Sequence, residues 1–108
     1  MEELRHIEGL VLPIESEKTK HAWHLFVVRV HDRSSFSEFL NSKNISTGIH
    51  YPVSLPFLPA YKHKKLLPND FPVANKVQDE IISLPLFPSM KDEQIDHVIK
   101  SIKEYFVA

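Results

Sequence analysis

The 108-residue sequence contains no cysteine, which excludes a disulfide scaffold and any thiolate metal site and is compatible with a reducing compartment. No apolar run approaches the roughly 20 residues that span a bilayer. The N-terminus, MEELRHIEGL, has acidic residues where a secretory leader would be basic and then apolar. These absences argue for a cytoplasmic domain without a membrane partner. Neither sign of charge prevails, with 13 Lys and Arg against 14 Asp and Glu, and the positive excess of a nucleic-acid module is lacking, so no nucleic-acid partner is expected. Glycine is almost absent: Gly9 and Gly48 alone cannot build a glycine-rich phosphate loop. There is no internal repeat and no low-complexity segment. What remains is an ordinary globular composition, 43% hydrophobic and 25% charged. At this length residues 1–108 fit a single domain that buries about two-thirds of its unfolded surface.

Patterning then supplies the elements. Leu4, Ile7 and Val11 stand at helical spacing in the first segment, with Gly9 as its stop. AWHLFVVRV, residues 22–30, is aromatic and β-branched with few polar positions, which predicts a central strand covered on both faces for much of its length. Ser35 with Glu38 forms a capping box ahead of the helix FSEFLNSK, which Asn44 closes in the left-handed conformation. ISTGIHY predicts a second strand ended by Pro52. Residues 53–70, carrying Pro56, Pro59 and Pro68, predict a long irregular excursion, and long loops in small domains tend to be functional or covered. Pro72 starts a helix to about Ile81, SLPLFP is a short extended piece, and Asp92 to Phe106 form an amphipathic helix with the stripe Ile95, Val98, Ile99, Ile102 and Phe106. The order predicts a small α/β layer of three short strands with helices mainly on one face, its strand order undetermined.

Few residues point to chemistry. Of the seven histidines, His21 and His24 resemble a chelating pair, but residues three apart on a strand face opposite sides, so scattered polar histidines are the preferred reading. In GIHYPVSLP, residues 48–56, Gly48 allows a close or unusual backbone approach, and His50 and Tyr51 project at the mouth of the long loop. KHKK, residues 62–65, is the densest basic run; Lys62, Lys64 and Lys65 could meet a phosphate or simply keep the loop solvated, and the solvated reading is the simpler.

HAWHLFVVRV, then NISTGIHYP, then FPVANKVQDEIISLPLFPSMKDEQIDHVIKSIKEYF, in this order and spacing, resemble the C-terminal domain of the DegT/DnrJ/StrS sugar aminotransferases over about Leu4 to Phe106. Jointly these motifs are highly specific. The resemblance implies an α+β small domain, as in fold-type I aminotransferases, with a short, mainly antiparallel or mixed three-stranded sheet packed by helices. It also implies a pyridoxal-phosphate chemistry that aminates nucleotide-linked keto sugars in polysaccharide or amino-sugar biosynthesis. In that family the cofactor is held by a larger N-terminal domain, which this sequence does not include, and none of the ten lysines lies in a segment similar to the cofactor-lysine motif. No cofactor is therefore expected in this chain alone. By carry-over, His50 and Tyr51 match the H-Y of the turn that approaches the substrate sugar, with the following loop as one wall of the cleft. Many members carry a second His shortly after H-Y-P; this chain reads VSLPF there, so no substrate contact is carried over to residues 55–58.

Three functional expectations follow. The chain is an aminotransferase domain or fragment, inactive alone, with an N-terminal aminotransferase domain as its partner; or a free-standing binding or regulatory module, with KHKK near the phosphates of a sugar nucleotide; or one half of a split enzyme. Apolar residues of the loop, Leu55, Phe57, Leu58 and Tyr61, are expected to be exposed or used in a self-contact, which allows a homodimer.

Overall fold

A computed structural model describes residues 2–107. The sheet has three antiparallel strands, β1 (Leu10–Val11), β2 (Phe26–Val30) and β3 (Ile81–Leu84), in the order β1-β2-β3. The strand drawn from the aromatic and β-branched run is thus central, although pairing begins only at Phe26. Trp23, ahead of it, has a φ of 49°, a left-handed conformation in which a chain cannot enter a ladder. Val27 faces Ser83 and Val28 faces Ile82 across the β2–β3 pair.

Three α-helices complete the architecture: α1 (Arg33–Ser42), α2 (Pro72–Glu80) and α3 (Asp92–Val107). The core lies between one face of the sheet and α1 and α3, where Val28, Phe36, Leu40, Ile82 and Ile102 are fully buried. Burial of each such side chain contributes about 1.5–3 kcal/mol. Along α3, Ile102 is enclosed, Val98 and Ile99 pack against the core from its edge, and Ile95 lies exposed at the helix's first turns. Arg29, one residue along β2 from Val28, meets α2 instead: its Nε and Nη2 both donate to Glu80 Oε2, at 3.0 and 2.7 Å.

Several expectations are corrected. The first segment is not a helix through Ile7 and Val11: it makes one 3-10 turn, Glu2–Leu4, and then a strand. Met1 lies outside the described residues. Pairing Leu10 with Val30 buries Leu10 and leaves Val11 on the exposed side, a pairing that a helix carried through Val11 would forgo. Gly9 makes the entry to β1 at φ 87°, with the Phe106 ring against it. The cap of α1 is Asp32, whose Oδ1 accepts from Ser35 N at 3.0 Å, so the helix starts one turn earlier than a Ser35 cap would place it. Asn44 does close this region in the left-handed conformation, at φ 61°.

The second predicted strand, ISTGIHY, shrinks to a single rung, Gly48 with Ser83. Ile45 is drawn into the core, its N–H donating to Leu40 O, and Ser37 Oγ bonds Thr47 Oγ1 at 2.8 Å. The segment is thereby tied to α1, and only Gly48 reaches the edge of β3. The third strand lies slightly earlier than SLPLFP, because Pro85 cannot donate to a ladder. Residues 53–70 form three 3-10 turns, Leu55–Phe57, Pro59–Lys64 and Pro68–Asp70, with no sheet or α-helix.

Candidate functional site

The site is built outward from β3. Ile82, Ser83 and Leu84 are all buried, so this short strand is covered on both faces. Ser83 exchanges two backbone hydrogen bonds with Gly48, N to O at 2.7 Å and O from N at 3.0 Å. Two residues on, the His50 ring folds back over Gly48 and its Nδ1 lies 2.8 Å from Ser83 Oγ. The approach needs a glycine, since a β-carbon at position 48 would stand 2.7 Å from His50 Cε1. His50 therefore does not simply project into solvent, although much of its surface stays exposed. Tyr51 does project, at 73% exposure, and meets the His50 ring edge-on at 5.8 Å.

Beyond Tyr51 the chain is pinned at one point. Gln78 Oε1, on α2, accepts from both Ser54 N (2.8 Å) and Ser54 Oγ (2.9 Å). The helix is fixed in turn by the Arg29–Glu80 pair and by Arg33, whose Nη1 donates to Gln78 O at 2.6 Å at the end of α2. The Arg29 hydrogen bond holds the Glu80 carboxyl below the usual carboxylate range, as it favours the charged form.

From this anchor the loop shapes two open concavities that share Leu58. One, about 500 Å³, is lined by Tyr51, Pro52, Val53, Leu55 and Leu58. The other, about 480 Å³, includes Phe57, Tyr61, Lys62 and Lys65. Lys65 sits in the left-handed conformation (φ 51°) at the end of the Pro59–Lys64 turn, and Lys64 lines neither concavity. Lys62, Lys64 and Lys65 are exposed and pair with no carboxylate among the described residues. Tyr51 thus lines one concavity and Lys62 and Lys65 the other, the two meeting at Leu58, while His50 lines neither. Leu55 is exposed, while Phe57, Leu58 and Tyr61 are half-buried. Among the described residues no cluster of three metal-binding side chains occurs, and no helix is long and apolar enough to cross a membrane.

Sequence reasoning missed Ser83, Gln78 and Ser54. The signal for Ser83 was available as the one polar residue inside the apolar run IISLPL. The other two were not legible, because their meeting depends on how α2 turns back toward the loop.

Residues 1–103 match the DegT/DnrJ/EryC1/StrS aminotransferase family. The chain belongs to this family. It is 39% identical over 101 residues to the erythromycin biosynthesis sensory transduction protein EryC1 of Saccharopolyspora erythraea, covering 94% of this chain and 28% of that protein. It is 36% identical over 107 residues to the dTDP-3-amino-3,6-dideoxy-alpha-D-galactopyranose transaminase of Aneurinibacillus thermoaerophilus, again covering 28% of the relative. Among solved structures it superposes on DesV of S. venezuelae, determined in complex with a ketimine intermediate, with a TM-score of 0.94 and 30% identity over 99% of this chain and 29% of that one. The chain therefore spans little more than a quarter of the family members it matches, and its antiparallel small domain is the fold of that part of a DegT/DnrJ/EryC1/StrS protein.

Proposed function

We propose that this chain is the C-terminal portion of a pyridoxal-phosphate-dependent aminotransferase acting on nucleotide-linked keto sugars, and that it is inactive without the rest of that enzyme. One observation carries the reading: nearly all of this chain superposes on less than a third of DesV, at a TM-score of 0.94. The residues at hand do not fit a resident pyridoxal phosphate. Eight of the ten lysines are exposed, and the other two, Lys43 and Lys103, bond Glu104 and Glu3 at 2.7 and 2.6 Å. A Schiff-base lysine needs desolvated or cationic surroundings to be nucleophilic near neutral pH, and an acidic partner must meet the ring nitrogen. The cofactor then belongs to an N-terminal aminotransferase domain, on the same or a separate chain.

In this reading His50 and Tyr51 face the sugar, and Lys62 and Lys65, with Lys64 beside them, lie toward the phosphates of the nucleotide. The loop forms one wall of the cleft, and its exposed apolar residues meet the partner domain or a second copy. The test has two arms. Titrating the purified chain with pyridoxal phosphate is expected to give no saturable aldimine absorbance, and mixing it with the cofactor-binding domain of a family member is expected to give transamination of a nucleotide-linked keto sugar. Saturable aldimine formation at one lysine, lost on a single Lys→Ala change, would overturn the proposal.

A further inference from the structure

Ser83 is 5% exposed, and its peptide groups are committed to Gly48. Its hydroxyl has one protein partner, His50 Nδ1 at 2.8 Å. The direction of this bond follows from what each choice leaves unmade. If Nδ1 carried the proton and donated to Ser83 Oγ, the hydroxyl hydrogen would sit in a buried side chain without an acceptor, and an unmade buried donor costs more than the bond returns. If the hydroxyl donates to Nδ1, both groups are satisfied and the ring proton resides on Nε2. That nitrogen has no protein partner among the described residues and belongs to an exposed side chain.

We infer that Ser83 is a positioning residue for His50: its hydroxyl, working across the gap that Gly48 leaves open, fixes the imidazole so that Nε2–H is presented as a hydrogen-bond donor beside Tyr51. The ligand chemistry it suits is an oxygen acceptor, such as a hydroxyl, carbonyl or phosphate oxygen. That this oxygen belongs to a sugar nucleotide rests on the function proposed above; the orientation of the ring does not. Without the hydroxyl, rotation of the ring costs little and Nε2 has no fixed direction. With it, one donor is set in place before any ligand arrives, which lowers the ordering cost of binding.

The test is NMR on the ¹⁵N-labelled 108-residue chain under alkaline conditions, where imidazole is uncharged. Long-range ¹H–¹⁵N correlations of His50 are expected to show the proton on Nε2 with Nδ1 as acceptor, together with a cross-relaxation peak between the ring Hε1 and the Gly48 α-protons. Ser83→Ala should leave the amide spectrum of β2 and α3 in place, abolish that peak and move the Nδ1 shift toward that of a free imidazole. Gly48→Ala should abolish the same peak with the hydroxyl still present. A proton on Nδ1 in the parent chain, or a ring peak that survives in Ser83→Ala, overturns the assignment; the first of these is read on the parent alone, whatever the variants' stability. A complemented enzyme in which His50→Ala leaves KM for the nucleotide sugar unchanged would instead overturn the substrate-facing reading and leave the ring geometry standing.

Discussion

The half of the molecule built from the sheet, α1 and α3 encloses its own apolar residues; the stretch from Ser46 to Ile81 does not enclose one. Every buried residue lies outside that stretch, including Ile45 and Ile82 at its borders. Inside it Tyr51, Val53, Leu55, Leu67, Phe71 and Val73 are exposed. The first half meets the ordinary condition for a stable small domain. The second has a defined shape but little burial, so its form comes from α2, prolines, 3-10 turns and a few hydrogen bonds. The contrast separates a part that buries its apolar residues from a part that leaves them exposed.

Substitution by charge is the harshest way to break this contrast. Ile102→Asp should unfold the domain, because a lone carboxylate at a fully buried position has no partner, and the milder Ile102→Ala should cost about 2–5 kcal/mol. Leu55→Asp and Val73→Asp, on exposed residues, should each stay within about 0.5 kcal/mol of the parent. Denaturant midpoints measure all four, and a similar loss in both groups would erase the distinction.

The border between the halves comes next in size. Gly48→Ala displaces the His50 ring and leaves the buried Ser83 hydroxyl without its partner, so a loss of about 1–3 kcal/mol is expected by thermal denaturation. A loss as large as that of Ile102→Ala would move Gly48 into the self-sufficient half.

Acid sharpens the picture further. The Glu80 carboxyl is held below its usual range by Arg29, so the contribution of this pair is present above the ordinary carboxylate value and is lost as pH falls through the lowered folded value. Glu80→Gln should therefore lower Tm at neutral pH, by an amount equivalent to about 1 kcal/mol, and flatten its fall on the acid side. A Tm profile parallel to that of the parent would show that α2 is held without this pair.

The smallest effect on stability concerns the exposed face. Leu55→Ser with Leu67→Ser should leave stability within about 0.5 kcal/mol and lower any self-association seen by sedimentation velocity. An unchanged sedimentation coefficient across a concentration series would show that this surface does not meet a second copy.

What could be read from sequence divides along the same line. α1 and α3 were legible because burial on one face imposes a period, as in Phe36 with Leu40 or Val98 with Ile102, whereas the central strand was legible from its aromatic and β-branched run and α2 from Pro72 at its first turn. The first segment misled because Leu4, Ile7 and Val11 fit a helical period, and nothing local reveals that Val30 and Arg29 offer an edge for pairing. ISTGIHY misled for a related reason: its β-branched residues promise a strand, yet Ile45 and Thr47 are claimed by α1. At the candidate site the motif drew attention to His50 and Tyr51 at the loop mouth, where Tyr51 projects and His50 folds back over Gly48. The partnership of His50 with Ser83 was not legible, since 33 residues separate them and only the fold brings them together.

Gln78 joins these regions through one side chain and one carbonyl: it receives Ser54 from the loop and Arg33 from α1. Between Ser54 and the start of α2 nothing is buried. Residues 55–70 therefore hang between two tethered ends, and changes of side chain within them are expected to leave the interior of the domain undisturbed as long as Ser54 and Gln78 keep those ends in register.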